Sequence, residues 1–171
     1  MAASLAIEAG DYRRLLAHMY AGEDEQVAFL FTHPPQAREP LRIAELYPVP
    51  TGGFADKSPL YLALSDEVRG QVIGRTSRLG GCLVEAHSHA FGPAGFSPTD
   101  LSGFEEWVPH VRWRLKGRPY VALVFAEGSF DALVWEGEDE RPALLASLLV
   151  EGEGPLVPTG IGYRGLQRGG R

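Results

Sequence analysis

The sequence has a single cysteine and no long hydrophobic run. Cys82 is alone among 171 residues, so no disulfide can form within the chain and nothing indicates an oxidising compartment. It lies in the apolar stretch CLV, which favours a buried structural thiol over a reactive one. The longest apolar runs, such as YVALVFA, are too short to cross a bilayer, and the N-terminus has no secretory signal pattern. We therefore expect a cytoplasmic protein with no membrane partner.

Positive charge is also scarce. The chain has 16 Lys and Arg against 22 Asp and Glu, a formal net charge of -6. No global positive field is available to hold a phosphate backbone, so we expect no nucleic acid as a main partner. With 44% hydrophobic residues the chain can bury one proper core, and its length leaves little room for a second. The composition predicts one globular domain.

Hydrophobic periodicity predicts an irregular alternation of helices and strands, and therefore an α/β fold. A first helix begins at the candidate N-cap Asp11, and a second is capped by Ser65. A third follows Asp100 and should break or kink at Pro109. The apolar segments typical of strands are QVAFLFTH, RIAELYPV, LYLALS, CLVEAHSH, YVALVFA and FDALVWE, with PALLASLLV as a last apolar element.

Residues 85–100, EAHSHAFGPAGFSPTD, contain the strongest functional signal. Residues two apart in a strand point to the same face, so His87 and His89 can hold one metal ion together. Asp100 is placed to return from the start of the next helix as a third ligand. Two imidazoles and one carboxylate leave zinc an open position for water, as in catalytic sites. Ser97 is placed to donate a hydrogen bond to an oxyanion beside the metal.

The full spacing is far more specific than His-Xaa-His alone. Chance would produce His-Xaa-His-Xaa7-Ser-Xaa2-Asp in on the order of three in ten thousand sequences of this composition. A cupin would need a glutamate where Pro93 and Ala94 stand, and a metallo-β-lactamase-like site would need Asp-His where Ala90 and Phe91 stand. A zinc deaminase would need a Pro-Cys-Xaa-Xaa-Cys partner, which a lone cysteine excludes. We therefore reject these three alternatives.

HSHAFGPAGFSPTD resembles the zinc signature of the JAMM metallopeptidases, also called MPN-plus or JAB domains. That signature is His-Ser/Thr-His-Pro, six residues, Ser, two residues, Asp. Ala90 replaces the usual proline here, and every chemical position is kept. The family also has a glutamate between an amphipathic helix and the first strand, and EQVAFLF supplies it as Glu25. Glu23 is the alternative for that role.

The resemblance implies a single-domain MPN fold of the cytidine-deaminase-like type, with a mixed, curved β-sheet flanked by helices. This domain is expected over residues 1–155, and the glycine- and arginine-rich residues 156–171 are expected to form a flexible tail. Many MPN domains are scaffolds, so a non-enzymatic interaction domain that keeps a metal site is the alternative. Relatives associated with DNA repair share a similar motif, but the acidic charge disfavours that branch. The oligomeric state is open, with a homodimer as one option.

The resemblance also implies the chemistry. One zinc ion per chain would be held by His87, His89 and Asp100, with Glu25 as general acid/base and Ser97 beside the oxyanion. The implied activity is that of a deubiquitinase-like isopeptidase. It would cleave an amide or isopeptide bond after the Gly-Gly tail of a ubiquitin-like or sulfur-carrier protein.

Several nearby groups receive no role from the resemblance. Glu85 shares a strand face with His87, and we expect it to meet solvent or an arginine. The loops THPPQAREP and PTGGFADKSP are candidate walls of a groove for an extended substrate tail. The other histidines are expected at the surface or in packing contacts: His18, His33 and His110.

Overall fold

The computed structural model describes residues 3–50, 53–57, 62–138 and 140–169. They form one mixed α/β domain with a nine-stranded sheet, a two-stranded hairpin and four helices. The helices are α1 Ala9–Met19, α2 Asp66–Leu79, α3 Pro98–Arg114 and α4 Ile161–Gly169. The strands are β1 Ser4–Ile7, β2 Val27–Thr32, β3 Leu41–Pro48, β4 Phe54–Lys57, β5 Leu62–Leu64, β6 Leu83–Ser88, β7 Tyr120–Ala126, β8 Ser129–Trp135, β9 Ala143–Leu144, β10 Ser147–Val150 and β11 Pro155–Leu156.

The nine-stranded sheet has the order β11-β10-β1-β3-β2-β6-β7-β8-β9. Its central strands are buried on both faces, which explains why VAFLFT and YVALVFA are continuous apolar runs without alternation. β6 is antiparallel to β2 and parallel to β7. β4 and β5 form the separate hairpin, which leads into α2.

Two apolar clusters lie on the two faces of this sheet. The helix α1 covers one face with Leu15 and Met19. The helices α2 and α3 cover the other face, where Val72 and Val108 pack against alternate residues of the central strands. On both sides of the sheet, the apolar face of a helix therefore packs on alternate strand residues, as the apolar pattern predicts. Within the described residues, no helix is long and apolar enough to span a bilayer.

The first three helices were predicted, but the predicted N-cap of α1 and a break of α3 at Pro109 are wrong. α1 begins at Ala9 with Glu8 as N-cap, not at Asp11, which lies in its first turn. α3 continues through Pro109 to Arg114. Pro109 is on the exposed face, where water can satisfy the carbonyl that loses its N–H partner, while Val108 and Val111 are buried on the other face. Packing of that face therefore outweighs the cost of the proline.

The C-terminal segment differs from the flexible tail that the composition predicts. Residues 155–156 form β11, which pairs with β10, and residues 161–169 form α4. Tyr163 and Leu166 pack against the cluster beneath α2 and α3. Glycine and arginine suggested disorder here, but two apolar side chains at helical spacing are enough to dock the segment.

Candidate metal centre

The residues of the predicted metal site meet where a central strand ends and a helix begins. His87 is in β6, opposite Val27 of β2 and Val124 of β7. His89 lies just beyond the strand, and its backbone N–H donates to the carbonyl of Phe125 at 2.9 Å. Asp100 occupies the third position of α3. The strand end and the helix start thus bring three residues, separated by a loop, to one point.

The three side chains form a compact triangle of possible ligand atoms. The Nε2 atoms of His87 and His89 are 3.3 Å apart. Asp100 Oδ2 lies 3.1 Å from the His89 nitrogen, and Asp100 Oδ1 lies 3.4 Å from the His87 nitrogen. Zinc bonds of about 2.0–2.1 Å in a tetrahedron require ligand atoms about 3.3–3.4 Å apart. These pairwise distances are close to that spacing, and three such ligands would leave a fourth tetrahedral position.

Asp100 is fixed by the helix to which it belongs. Ser97 caps α3, and its Oγ accepts the Asp100 N–H at 3.1 Å. In return, Asp100 Oδ2 accepts the Ser97 N–H at 2.7 Å and the Ser97 hydroxyl at 2.8 Å. This reciprocal capping box holds the carboxylate toward the two imidazoles. The structure thus directs the single hydroxyl proton of Ser97 at Asp100.

The charges of the triangle reinforce one another. Burial raises the pKa of Asp100, but hydrogen bonds to His87 and His89 and to the Ser97 backbone outweigh it and hold that pKa well below its usual range. Burial lowers the pKa of His87, but its hydrogen bond to Asp100 and the charges of Asp100, Glu85 and Glu25 produce a net increase. The anionic surroundings therefore favour a cation at the histidines, whether that cation is a proton or a metal ion.

Two hydrogen bonds between Gln26 and Ser88, just before β2, place Glu25 beside the triangle. The Gln26 N–H donates to the Ser88 hydroxyl at 2.9 Å, and the Ser88 N–H donates to the Gln26 carbonyl at 3.0 Å. Ser88 is buried and lies between the two histidines in sequence. Ser88 therefore holds the segment that carries Glu25, a role that the sequence pattern does not predict.

Glu25 is buried and lines the same cavity as His87 and Asp100. It is 9% exposed, and its carboxylate makes no hydrogen bond to any residue within the described ranges. Burial raises its pKa, the charges of His89 and His87 lower it, and Asp100 raises it further. Glu23, the alternative for the same role, is exposed to solvent. On geometry, Glu25 is the glutamate that belongs to this site.

Glu85 does not follow its prediction. Its side chain is only 15% exposed, and its Oε2 accepts the Tyr120 hydroxyl at 2.5 Å. The Tyr120 oxygen in turn accepts the indole N–H of Trp107 at 2.9 Å. Burial raises the pKa of Glu85, and Arg69 acts on it only as a weaker electrostatic neighbour. Glu85 therefore belongs to a buried hydrogen-bond chain, with Oε1 3.9 Å from the second ring nitrogen of His87.

A cavity of about 120 Å³ opens beside the triangle, lined by Glu25, His87, Asp100, Leu64 and Arg69 among others. The guanidinium of Arg69 lies 5.6 Å from the centre of the Trp107 ring.

Two loops were predicted as groove walls. The prediction for residues 32–40 is wrong, because they follow the end of β2 that pairs with the start of β6, away from His87. Residues 50–59 follow the end of β3 nearer the site, but positions 51–52 and 58–59 lie outside the described residues.

The cysteine and the other histidines lie buried, at the surface or in packing contacts, as predicted. Cys82 is fully buried, and burial raises the pKa of its thiol. His18 lies with Nε2 2.8 Å from the Val27 carbonyl, and the His110 ring lies 6.2 Å from the Trp107 ring. His33 is exposed. None of these groups belongs to the metal centre.

Comparison with known proteins supports the fold and leaves the activity open. No protein-family model matches this sequence, and no curated protein is significantly similar to it. The solution structure of a Desulfitobacterium hafniense protein is similar, with a TM-score of 0.55 and 16% identity, covering 87% of this chain and 94% of that one. A Salinibacter ruber protein is 20% identical with a TM-score of 0.46, covering 86% and 91%. The first of these shows a related α/β fold, and neither name states a function.

Proposed function

We propose that this protein is a zinc-dependent hydrolase of the JAMM type, built on an MPN fold. The observation that carries the proposal is the grouping of three side chains whose ligand atoms lie within 4.8 Å of one another, with the buried Glu25 carboxylate in the same cavity. The ligand triangle alone would serve a structural zinc equally well. A buried carboxylate without a hydrogen-bond partner among the described residues can accept a proton. This favours catalysis over a scaffold that merely keeps a metal.

In this proposal each residue has a defined role. His87, His89 and Asp100 hold the ion, which when bound would lower the pKa of a water molecule to roughly 7 and polarise a carbonyl. Glu25 accepts a proton from the attacking water and delivers it to the leaving nitrogen. Ser97 holds Asp100 in place and, by turning its hydroxyl, donates to the oxygen of the tetrahedral intermediate.

The proposed substrate is an amide or isopeptide bond after the Gly-Gly tail of a ubiquitin-like or sulfur-carrier protein. This class comes from the likeness of HSHAFGPAGFSPTD to the JAMM signature. Glycine suits such a tail, because it is the residue that lets a backbone approach the side chains lining the cavity closely. The reaction would take place in the cytoplasm, without nucleic acid or membrane as partner.

The test is hydrolysis of a peptide ending in Gly-Gly joined through an amide to a fluorogenic amine, with matched Gly-Ala and Ala-Gly peptides. We expect the zinc-loaded protein to release the fluorophore from the Gly-Gly peptide, to lose that activity with a chelator and to regain it with zinc. Zinc binding without cleavage of any Gly-Gly amide or isopeptide would contradict the proposed reaction and favour the metal-retaining scaffold.

A further inference from the structure

We propose that the C-terminal helix α4 is part of the metal site, because it fixes the loop between His89 and Asp100. This inference rests on the metal binding proposed above, not on the hydrolytic reaction. It concerns residues 94–96, which we call the site loop, and residues 159–162, which lead into the first turn of α4 and which we call the strap.

The strap is anchored at its base by a buried carboxylate. Asp131 of β8 is fully buried, and its Oδ1 accepts the Gly160 N–H at 2.8 Å while its Oδ2 accepts the Gly162 N–H at 2.7 Å. Oδ1 also accepts the Ala132 N–H at 3.0 Å. A buried carboxylate is tolerated when backbone N–H groups at a helix start satisfy it. Asp131 therefore locks the first turn of α4 to the sheet.

The other side of the strap holds the site loop at three successive residues. The Thr159 hydroxyl donates to the Ala94 carbonyl at 2.6 Å. Ile161 covers Gly95 so closely that a Cβ on Gly95 would lie 2.7 Å from Ile161 Cγ2. At the third contact, a Cβ on Gly162 would lie 2.8 Å from the Phe96 ring. Both glycines are thus needed for the close approach of helix and loop.

The site loop passes this constraint on to the metal ligands. The Phe96 ring lies 5.9 Å from the ring of His87 and packs edge-on against Phe104 at 5.5 Å. Ser97, the next residue, caps α3 and holds the Asp100 carboxylate. A shift of the loop would therefore move a neighbour of one ligand and the support of another. Loss of a hydrogen-bonded support such as the one Ser97 gives Asp100 typically lowers metal affinity 10- to 100-fold.

The experiment is zinc affinity, measured by competition with a chromogenic chelator, for a matched pair of Gly→Ala variants. Gly95→Ala forces the loop and Ile161 apart. Gly165→Ala is the control, because a Cβ there meets nothing within 4 Å on the same helix. We expect Gly95→Ala to bind zinc about tenfold more weakly than the wild type, and Gly165→Ala to bind it as the wild type does.

Two further variants separate the strap from simple loss of folding. Thr159→Val removes the hydrogen bond to Ala94 with little change of volume and should weaken zinc binding with the far-UV circular dichroism unchanged. Ile161→Gly removes all three atoms that the new methyl group would meet, so adding it to Gly95→Ala should restore affinity. Equal zinc affinity for Gly95→Ala and Gly165→Ala would overturn the proposal. The readout does not involve hydrolysis, so an inactive protein that shows the expected affinities would contradict the reaction and leave the strap supported.

Discussion

Glu25 gives the sharpest prediction of the proposed reaction. Glu25→Gln keeps the size of the side chain and removes its charge and its ability to take up and return a proton. Glu25 is 9% exposed and its carboxylate makes no hydrogen bond to the described residues, so the substitution breaks no hydrogen bond among them. We therefore expect normal zinc content and unchanged or slightly higher thermal stability, since a buried charge is removed.

The expected loss lies in turnover. General acid–base catalysis contributes roughly 10²- to 10⁴-fold, or about 2.7–5.5 kcal/mol in the activation barrier. The assay is release of a fluorophore from a Gly-Gly amide by zinc-loaded protein, with zinc measured in the same samples. Glu23→Gln is the matched control, because Glu23 is exposed two residues away. Activity of Glu25→Gln within about threefold of the wild type would refute the assignment, and a loss in Glu23→Gln instead would transfer the role.

Three further predictions concern supporting residues. Ser88→Ala leaves the Gln26 N–H without its partner and should cost about 1–3 kcal/mol in denaturant unfolding, with activity reduced and zinc affinity retained; loss of zinc would contradict this. Ser97→Ala removes the cap of α3 and the support of Asp100, so we expect about 1 kcal/mol lower stability and at least tenfold weaker zinc binding, both restored in Ser97→Thr. Burial raises the pKa of Cys82, so its thiolate is scarce near neutral pH and iodoacetamide should label it only after unfolding. Rapid labelling of the native protein would contradict this prediction.

The metal ligands could be predicted from the sequence because short-range rules place them. Strand alternation puts His87 and His89 on one side, and N-capping by Ser97 sets the direction of Asp100. Short-range rules could not assign Glu25, since nothing local in the sequence distinguishes it from Glu23. Its assignment came from a family resemblance, and the structure adds the burial that separates the two.

The supporting contacts could not be predicted because their partners are distant in sequence. Ser88 pairs with a backbone group 62 residues away, and Asp131 holds N–H groups 29 and 31 residues away. Composition was also misleading for the C-terminal residues, where glycine allows close packing of α4 on the site loop and does not bring disorder. The continuation of α3 through Pro109 could not be predicted either, because the free-energy cost of the proline depends on which face of α3 is buried.

The central claim is that His87, His89 and Asp100 bind one zinc ion. The most direct measurement is metal content per chain by elemental mass spectrometry, on the wild type and His87→Ala purified side by side, with His18→Ala as a control histidine outside the site. We predict about one zinc per chain in the wild type and in His18→Ala, and little in His87→Ala. No zinc in the wild type after zinc is supplied, or equal zinc in His87→Ala, would contradict the claim.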